Sequence, residues 1–294
     1  MKKLLSSVTA YSILLLAFSS CKKDKTVTPG VPSFTNDINL STNAILGQYL
    51  TNNNGLTLYI FANDADGASS CTGGCELTWP AFNTVLVTAK IDKGLNAIDF
   101  ATITNAGGKK QVTYKGWPLY TYSPSTDNSY GIPHNVAETA GSTKGDGVGG
   151  TWFIAKPDYT IMLANKQLTG LDGINYKSDY SIGTGKTNYF TNGAGRTLYT
   201  FGNDSFNINK FTKPDLSNNN VFPIYQEEKI VVPSILNKNL FGNIMVAGKK
   251  QMTYNGWPLY HFGQDSIRGS NKAVSVPVVG KWPVAVKDVA GAKK

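Results

Sequence analysis

Apolar and polar positions alternate in short runs along most of this chain, and Gly, Pro or Asn-Gly interrupts each run before it reaches helical length. In Thr57-Leu58-Tyr59-Ile60-Phe61, a period of two puts Leu58 and Ile60 on one face and Tyr59 and Phe61 on the other. A strand apolar on both faces belongs in an interior. Gln111 to Tyr114 and Leu119 to Tyr122 flank Lys115-Gly116, and a later segment with the same pattern is centred on Asn255-Gly256. Asn-Gly accepts the positive φ values of a type I′ turn, so both segments are expected to be β-hairpins. Pro118 and Pro258 lack a backbone donor, which places them at a strand start or a sheet edge. The pattern predicts an all-β chain. Thirty glycines and fifteen tyrosines, with no stretch of helical period rich in Ala, Leu and Glu, point the same way.

The alternating runs occur twice. Leu58-Tyr59-Ile60-Phe61-Ala62-Asn63-Asp64 returns as Leu198-Tyr199-Thr200-Phe201-Gly202-Asn203-Asp204, and Gly116-Trp117-Pro118-Leu119-Tyr120-Thr121-Tyr122 returns as Gly256-Trp257-Pro258-Leu259-Tyr260-His261-Phe262. Tyr59 to Tyr199 and Trp117 to Trp257 are the same interval, 140 residues. A fixed interval is the mark of a duplicated unit. The expected organisation is therefore two tandem antiparallel β-sandwich-like units, residues 41–165 and 166–294. Gly150-Thr151-Trp152 returns as Gly280-Lys281-Trp282 at the shorter interval of 130, so the second copy has a shorter loop after Tyr260.

Ahead of the repeats, Lys2 and Lys3, the apolar run Ile13 to Phe18 and then Ser19-Ser20-Cys21 have the layout of an export signal over residues 1–20. A cysteine followed at once by Lys22-Lys23-Asp24-Lys25 resembles the lipobox of bacterial lipoproteins, with Phe18 where leucine is more usual. That reading makes Cys21 the lipidation site, residues 21–40 a tether, and the bacterial cell envelope the destination, with an outer-membrane anchor preferred. The net charge of +9 is spread along the chain, and its notable basic pairs beyond the signal and tether are Lys109-Lys110 and Lys249-Lys250. No nucleic-acid partner is expected from so dispersed a charge. Weak attraction to anionic lipid or polysaccharide and simple solubility explain it equally well.

The LYxFxxD string, the C-x3-C followed by Trp-Pro, the KKQVTYxGWPLY hairpin and the glycine-rich GDGVGGTW together resemble the bacterial lipoproteins described as a secreted repeat of unknown function. In the first copy the resemblance falls on Tyr59, Phe61, Asp64, Cys71, Cys75, Trp79, Pro80, Trp117, Pro118, Tyr120 and Trp152. The second copy departs from it, having Phe222-Pro223 in place of Trp79-Pro80 and no cysteine. The resemblance implies an architecture and a compartment, and it implies no reaction.

Candidate chemistry is sparse. Cys71 and Cys75 are a pair in an exported chain, where disulfides persist, and Thr72-Gly73-Gly74 is flexible enough to let them join. The alternative is a redox or copper-handling site in which two thiolates bind Cu(I), with His134 or Met162 as a further ligand. Asp64, Asp204 and Asp265 each stand five residues after a tyrosine of a repeated phrase, and Asp127 stands seven after Tyr120. Asx turns or tyrosine pairing account for them; calcium is the rival, without the downstream glutamate of an EF-hand loop. Tyr59, Phe61, Tyr120, Tyr122, Tyr199, Phe201, Tyr260 and Phe262 are expected in a core, with tyrosine hydroxyls paired to aspartates, and a ligand groove is the alternative. Trp117 and Trp257 are read as structural members of the hairpins. The glycines from Gly141 to Gly150 read as a mobile surface loop. No nucleophile elbow or zincin motif is present, and His134 and His261 are the only histidines. The expected protein is a non-enzymatic binding or scaffolding module without a cofactor, whose partner is an envelope protein or polysaccharide.

Overall fold

A computed structural model describes residues 36–127 and 134–294, excepting the side chains of Ser125, Asp127 and His134. Its first half contains β1 (Ile38–Asn43), β2 (Gly47–Asn52), β3 (Tyr59–Phe61), the short helix α1 (Gly74–Thr78), β4 (Phe100–Thr104), β5 (Lys110–Tyr114), β6 (Trp117–Pro118), β7 (Ser125–Asp127), β8 (His134–Val136) and β9 (Trp152–Ile154). There follow β10 (Ile161–Thr169), β11 (Asn175–Tyr176), β12 (Lys186–Asn192), β13 (Phe241–Val246), β14 (Lys249–Tyr254) and β15 (Trp257–Pro258). All named strand pairs are antiparallel. Among the described residues the only α-helix is α1, five residues long, and no helix is long and apolar enough to cross a membrane.

The two hairpins form as the sequence predicts. Tyr114 faces Trp117 across Lys115-Gly116, and Tyr254 faces Trp257 across Asn255-Gly256. Both central residues of each turn have positive φ, 47° and 76° in the first and 48° and 83° in the second. That is the type I′ geometry whose twist matches the flanking strands. The prolines sit in β6 and β15, at the edge of sheets ordered β4-β5-β6 and β13-β14-β15, where a missing donor leaves no ladder bond unmade.

Backbone bonds around the repeated phrases match in detail. Tyr59 N–H donates to Tyr120 C=O (2.8 Å) and Tyr120 N–H donates back to Tyr59 (2.9 Å); Tyr199 and Tyr260 exchange the same pair at 2.8 and 3.0 Å. Ala155 N–H donates to Leu58 C=O, and Ala285 N–H to Leu198 C=O. The matched elements include the opening hairpins. β1 and β2 pair with Ile38 opposite Asn52, while β10 and β12 pair with Ile161 opposite Asn192, so β10 opens the second set of elements. Position 165/166 falls within β10, whose start at Ile161 matches the start of β1 at Ile38. The second hairpin is longer at its tip, where residues 170–185 carry β11.

The alternation in β3 separates two cores. Leu58 and Ile60 join a large apolar cluster that runs through both halves and includes Phe153, Met162, Phe190, Leu198 and Tyr254. Tyr59 and Phe61 point to the other face, into a smaller cluster with Tyr49, Cys71, Trp79, Tyr120 and Trp152.

Candidate functional site

The repeated phrases converge on buried carboxylates, each closed by a tyrosine. Tyr120 Oη donates to Asp64 Oδ2 at 2.5 Å, and Asp64 Oδ1 accepts from the Ser70 N–H (2.8 Å) and hydroxyl (2.6 Å). In the second half Tyr260 Oη donates to Asp204 Oδ2 at 2.8 Å, and the Lys210 N–H to Oδ1 at 2.8 Å. Ser70 and Lys210 are themselves 140 residues apart, so side chain and backbone donor both repeat. Tyr199 Oη donates to Asp265 Oδ2 at 2.5 Å, with the Lys272 N–H on Oδ1 at 3.0 Å.

The fourth tyrosine, Tyr59, donates to Glu138 Oε1, while Ser142 Oγ and the Lys144 N–H donate to Oε2 at 2.8 and 3.2 Å. Glu138 is thus the first-half counterpart of Asp265. Asp127, the residue that spacing alone suggests, has a side chain outside the described part of the structure. Glu138 escapes sequence reasoning because it is a different residue type and lies beyond the loop whose length differs between copies. Asp66, two residues beyond Asp64, pairs with Lys166 at 2.5 Å.

Burial sets the electrostatics of these centres. It raises Asp64, Asp204 and Asp265 each to about 6, against the pull of their hydrogen-bond donors. Glu138 is raised for the same reason. The tyrosines go up, first by burial and then by the carboxylate each faces. His261 is buried and lowered to about 4, with Nδ1 2.8 Å from the Thr197 carbonyl oxygen.

Beside each pair of centres runs a column of four stacked rings. In the first half the order is Phe61, Trp152, Trp79, Tyr122, with successive centroids 4.0, 3.9 and 4.2 Å apart. In the second it is Phe201, Trp282, Phe222, Phe262, at 4.5, 3.5 and 4.8 Å. Phe222 therefore does the work of Trp79. The glycine run does not stand away from this column: Gly145 is buried, donates to the Tyr59 hydroxyl at 3.2 Å, and a Cβ there would lie 2.8 Å from the Tyr59 ring and 2.9 Å from Trp79. Only glycine lets the loop pack so close.

Cys71 and Cys75 form a disulfide with Cα atoms 5.3 Å apart. Cys71 is buried in the aromatic cluster, and Met162, considered as a copper ligand with it, is buried in the other core. The His134 side chain and Cys21 lie outside the described residues. At the position 140 residues after Cys71 stands Phe211, whose ring meets Phe201, Phe222, Tyr260 and Trp282 edge-on. Trp117 is buried and donates from Nε1 to Gly193 C=O (2.9 Å), whereas Trp257 is half-buried and donates to Ala290 C=O (2.8 Å). Arg268, unremarked in sequence although it is one of only two arginines, lies between the halves: Nε donates to Ala65 C=O at 2.8 Å and Nη1 to Lys115 C=O at 2.9 Å.

A family model described as a secreted repeat of unknown function matches residues 42–83, 101–127 and 246–286. Over these three segments the chain is similar to the secreted-repeat family. The first two matched segments include the Asp64, Cys71–Cys75 and Tyr120 centre, and the third includes Tyr260, Asp265 and Trp282, so the family's pattern falls on the duplicated elements. No curated protein and no solved structure matches the chain significantly.

Proposed function

We propose that this protein is a lipid-anchored envelope module that binds or scaffolds, held to a membrane by acyl chains on Cys21, with an envelope protein or polysaccharide as its partner. The observation that carries the non-catalytic reading is the use made of the motif carboxylates. Asp64, Asp204, Asp265 and Glu138 are buried, and each has both oxygens occupied by donors from its own chain. A general acid or base must reach a substrate proton. These groups instead tie loops to strands, which leaves recognition to the surface those loops present.

The anchor is tested by labelling cells with a fatty-acid analogue and fractionating them. The wild-type protein should be labelled and found with membranes, and Cys21→Ala should be unlabelled and released. A Cys21→Ala protein still labelled and membrane-bound would remove the lipoprotein reading. Copper handling is the other function class raised by the Cys71–Cys75 pair; it requires an open disulfide, and stoichiometric Cu(I) uptake by the reduced protein that is lost in Cys71→Ser, Cys75→Ser would put it first.

A further inference from the structure

We propose that the groove where the two repeats meet is a binding site for a small tetrahedral oxyanion of the phosphate or sulfate class, held by Lys166, Lys272 and Ser270 beside the guanidinium of Arg268. The groove encloses about 360 Å³ and is lined by Asp66 from the first repeat and by residues 166, 167, 169, 170 and 268–272 from the second. It lies where pockets are most often found, at a junction of two folded units.

Its charge is unbalanced. Arg268 is held by two carbonyl oxygens and by the face of Trp117, 4.8 Å from the ring centroid. Its Nη2 is buried without a hydrogen-bond partner, and among the described residues the guanidinium makes no ion pair. The single carboxylate of the groove, Asp66, is engaged by Lys166 at 2.5 Å, and Lys272 makes no ion pair among the described residues. Asp64 and Asp265 act on Arg268 and Lys272 only from a distance, so neither cation has a carboxylate in direct contact among the described residues. A desolvated charge without a counter-ion is costly, and an anion entering the groove removes that cost. Burial lowers Arg268 to about 10, so it remains charged at neutral pH.

The site is also built rather than incidental. Gly67, Gly116 and Gly195, all at positive φ, surround the guanidinium, and a Cβ on Gly116 would collide with Nη1 while one on Gly195 would lie 2.9 Å from Nη2. Asn271 Nδ2 donates to Gln167 C=O at 3.0 Å and its Oδ1 accepts from the Thr169 N–H at 2.6 Å. Gln167 Nε2 donates to Tyr176 C=O at 2.7 Å, and Oε1 accepts from the Gly185 N–H at 2.8 Å. The side-chain amides of the lining are thus committed to backbone groups. Two ammonium groups and a hydroxyl suit an oxyanion with several acceptor oxygens, and each charge-assisted bond adds both affinity and orientation.

The inference deepens the binding half of the reading above and rests on it. Inorganic phosphate titrated into the mature protein at constant ionic strength, balanced with chloride and followed by calorimetry and thermal unfolding, tests it. Saturable binding is expected, with sulfate competing, and Lys272→Ala and Lys166→Ala should each weaken it roughly tenfold. Both lysines are half-buried and neither is in the apolar core, so these variants keep the test usable where Arg268→Ala fails to fold. An unsaturable response, one unchanged in the two lysine variants, or failure of sulfate to compete would overturn the site and leave a general salt effect only. Loss of phosphate binding with acylation on Cys21 intact fails this site alone; loss of acylation with phosphate binding intact fails the anchor alone.

Discussion

One corner of the fold is filled by a disulfide in the first repeat and by a phenylalanine in the second. Cys71, bonded to Cys75, shares one buried cluster with Trp79, Tyr120 and Trp152; Phe211 lies against Phe222, Tyr260 and Trp282. Around both corners the carboxylate–tyrosine pair, the four-ring column and the exchanged backbone bonds are kept. What the corner requires is apolar volume beside the ring column, and a cross-link meets that need no better than a benzyl group. The five-residue span of the disulfide encloses little chain, so its restraint on the unfolded state is about 2 kcal/mol. The neighbourhoods differ in a second way. Gln251 Oε1 accepts from Asn209 Nδ2 at 2.7 Å, while the matching Gln111 Oε1 is buried without a partner. Ser69, in the place of Asn209, hydrogen-bonds Tyr120 instead at 2.8 Å.

The largest effects should come from the column itself. Trp152→Ala and Trp282→Ala each remove the ring on which the others stack, and each should cost about 3–5 kcal/mol in chemical denaturation. A severe loss from one and a negligible loss from the other would break the equivalence of the repeats. Removing single hydroxyls sharpens the comparison. Tyr120→Phe leaves Asp64 with both donors of Ser70, but Tyr260→Phe leaves Asp204 with the Lys210 amide alone. Both should fall within about 1–3 kcal/mol, the second variant losing more; the reverse order in equilibrium unfolding would show that the serine does not support Asp64.

The smallest expected effect is on pH. Asp64, Asp204 and Asp265 have pKa values of about 6 against an ordinary 3.8, so the folded state holds protons that the unfolded state has lost. Their contribution favours folding below about 3.8 and disappears as pH rises through about 6. His261 runs the other way: lowered to about 4 from 6.5, its contribution is present above 6.5 and is lost as pH falls through 4. From pH 7 to pH 5 the three carboxylates gain roughly 1 kcal/mol each and His261 gives back roughly 2, with Glu138 adding to the carboxylate side. The melting temperature should therefore be a few degrees higher at pH 5 than at pH 7. Asp204→Asn should flatten the slope, and an unchanged slope would remove the assignment.

Much of this fold is legible in the chain because its signals are local. Asn255-Gly256 carries the turn geometry in two residues, and Leu58 to Phe61 shows by alternation alone that β3 has two apolar faces. The 140-residue interval announces the duplication and even pairs Cys71 with Phe211, although a cysteine and a phenylalanine share no chemistry that would flag them as equivalents. Other features depend on distance in the chain. Glu138 reaches Tyr59 across 79 residues, past a loop whose length differs between copies, and no spacing rule survives that change. The equivalence of β10 and β1 is hidden because β10 stands behind a longer hairpin tip, which breaks the interval there. Arg268 binds carbonyl oxygens 203 and 153 residues away, and backbone acceptors leave no mark in sequence. Its cradle of three glycines is equally silent in a chain with thirty.

The claim that the two corners are alternative fillings of one scaffold is tested most directly by thermal unfolding of Cys71→Ser, Cys75→Ser beside Phe211→Ala, followed in the near-ultraviolet where the stacked rings report. The account predicts that the cysteine variant keeps its folded aromatic signal and loses about 2 kcal/mol, less than the roughly 3 kcal/mol expected for Phe211→Ala, the low end of the range because the ring is partly buried. A cysteine variant that loses the aromatic signal of the first repeat, or that is destabilised more than Phe211→Ala, would contradict it.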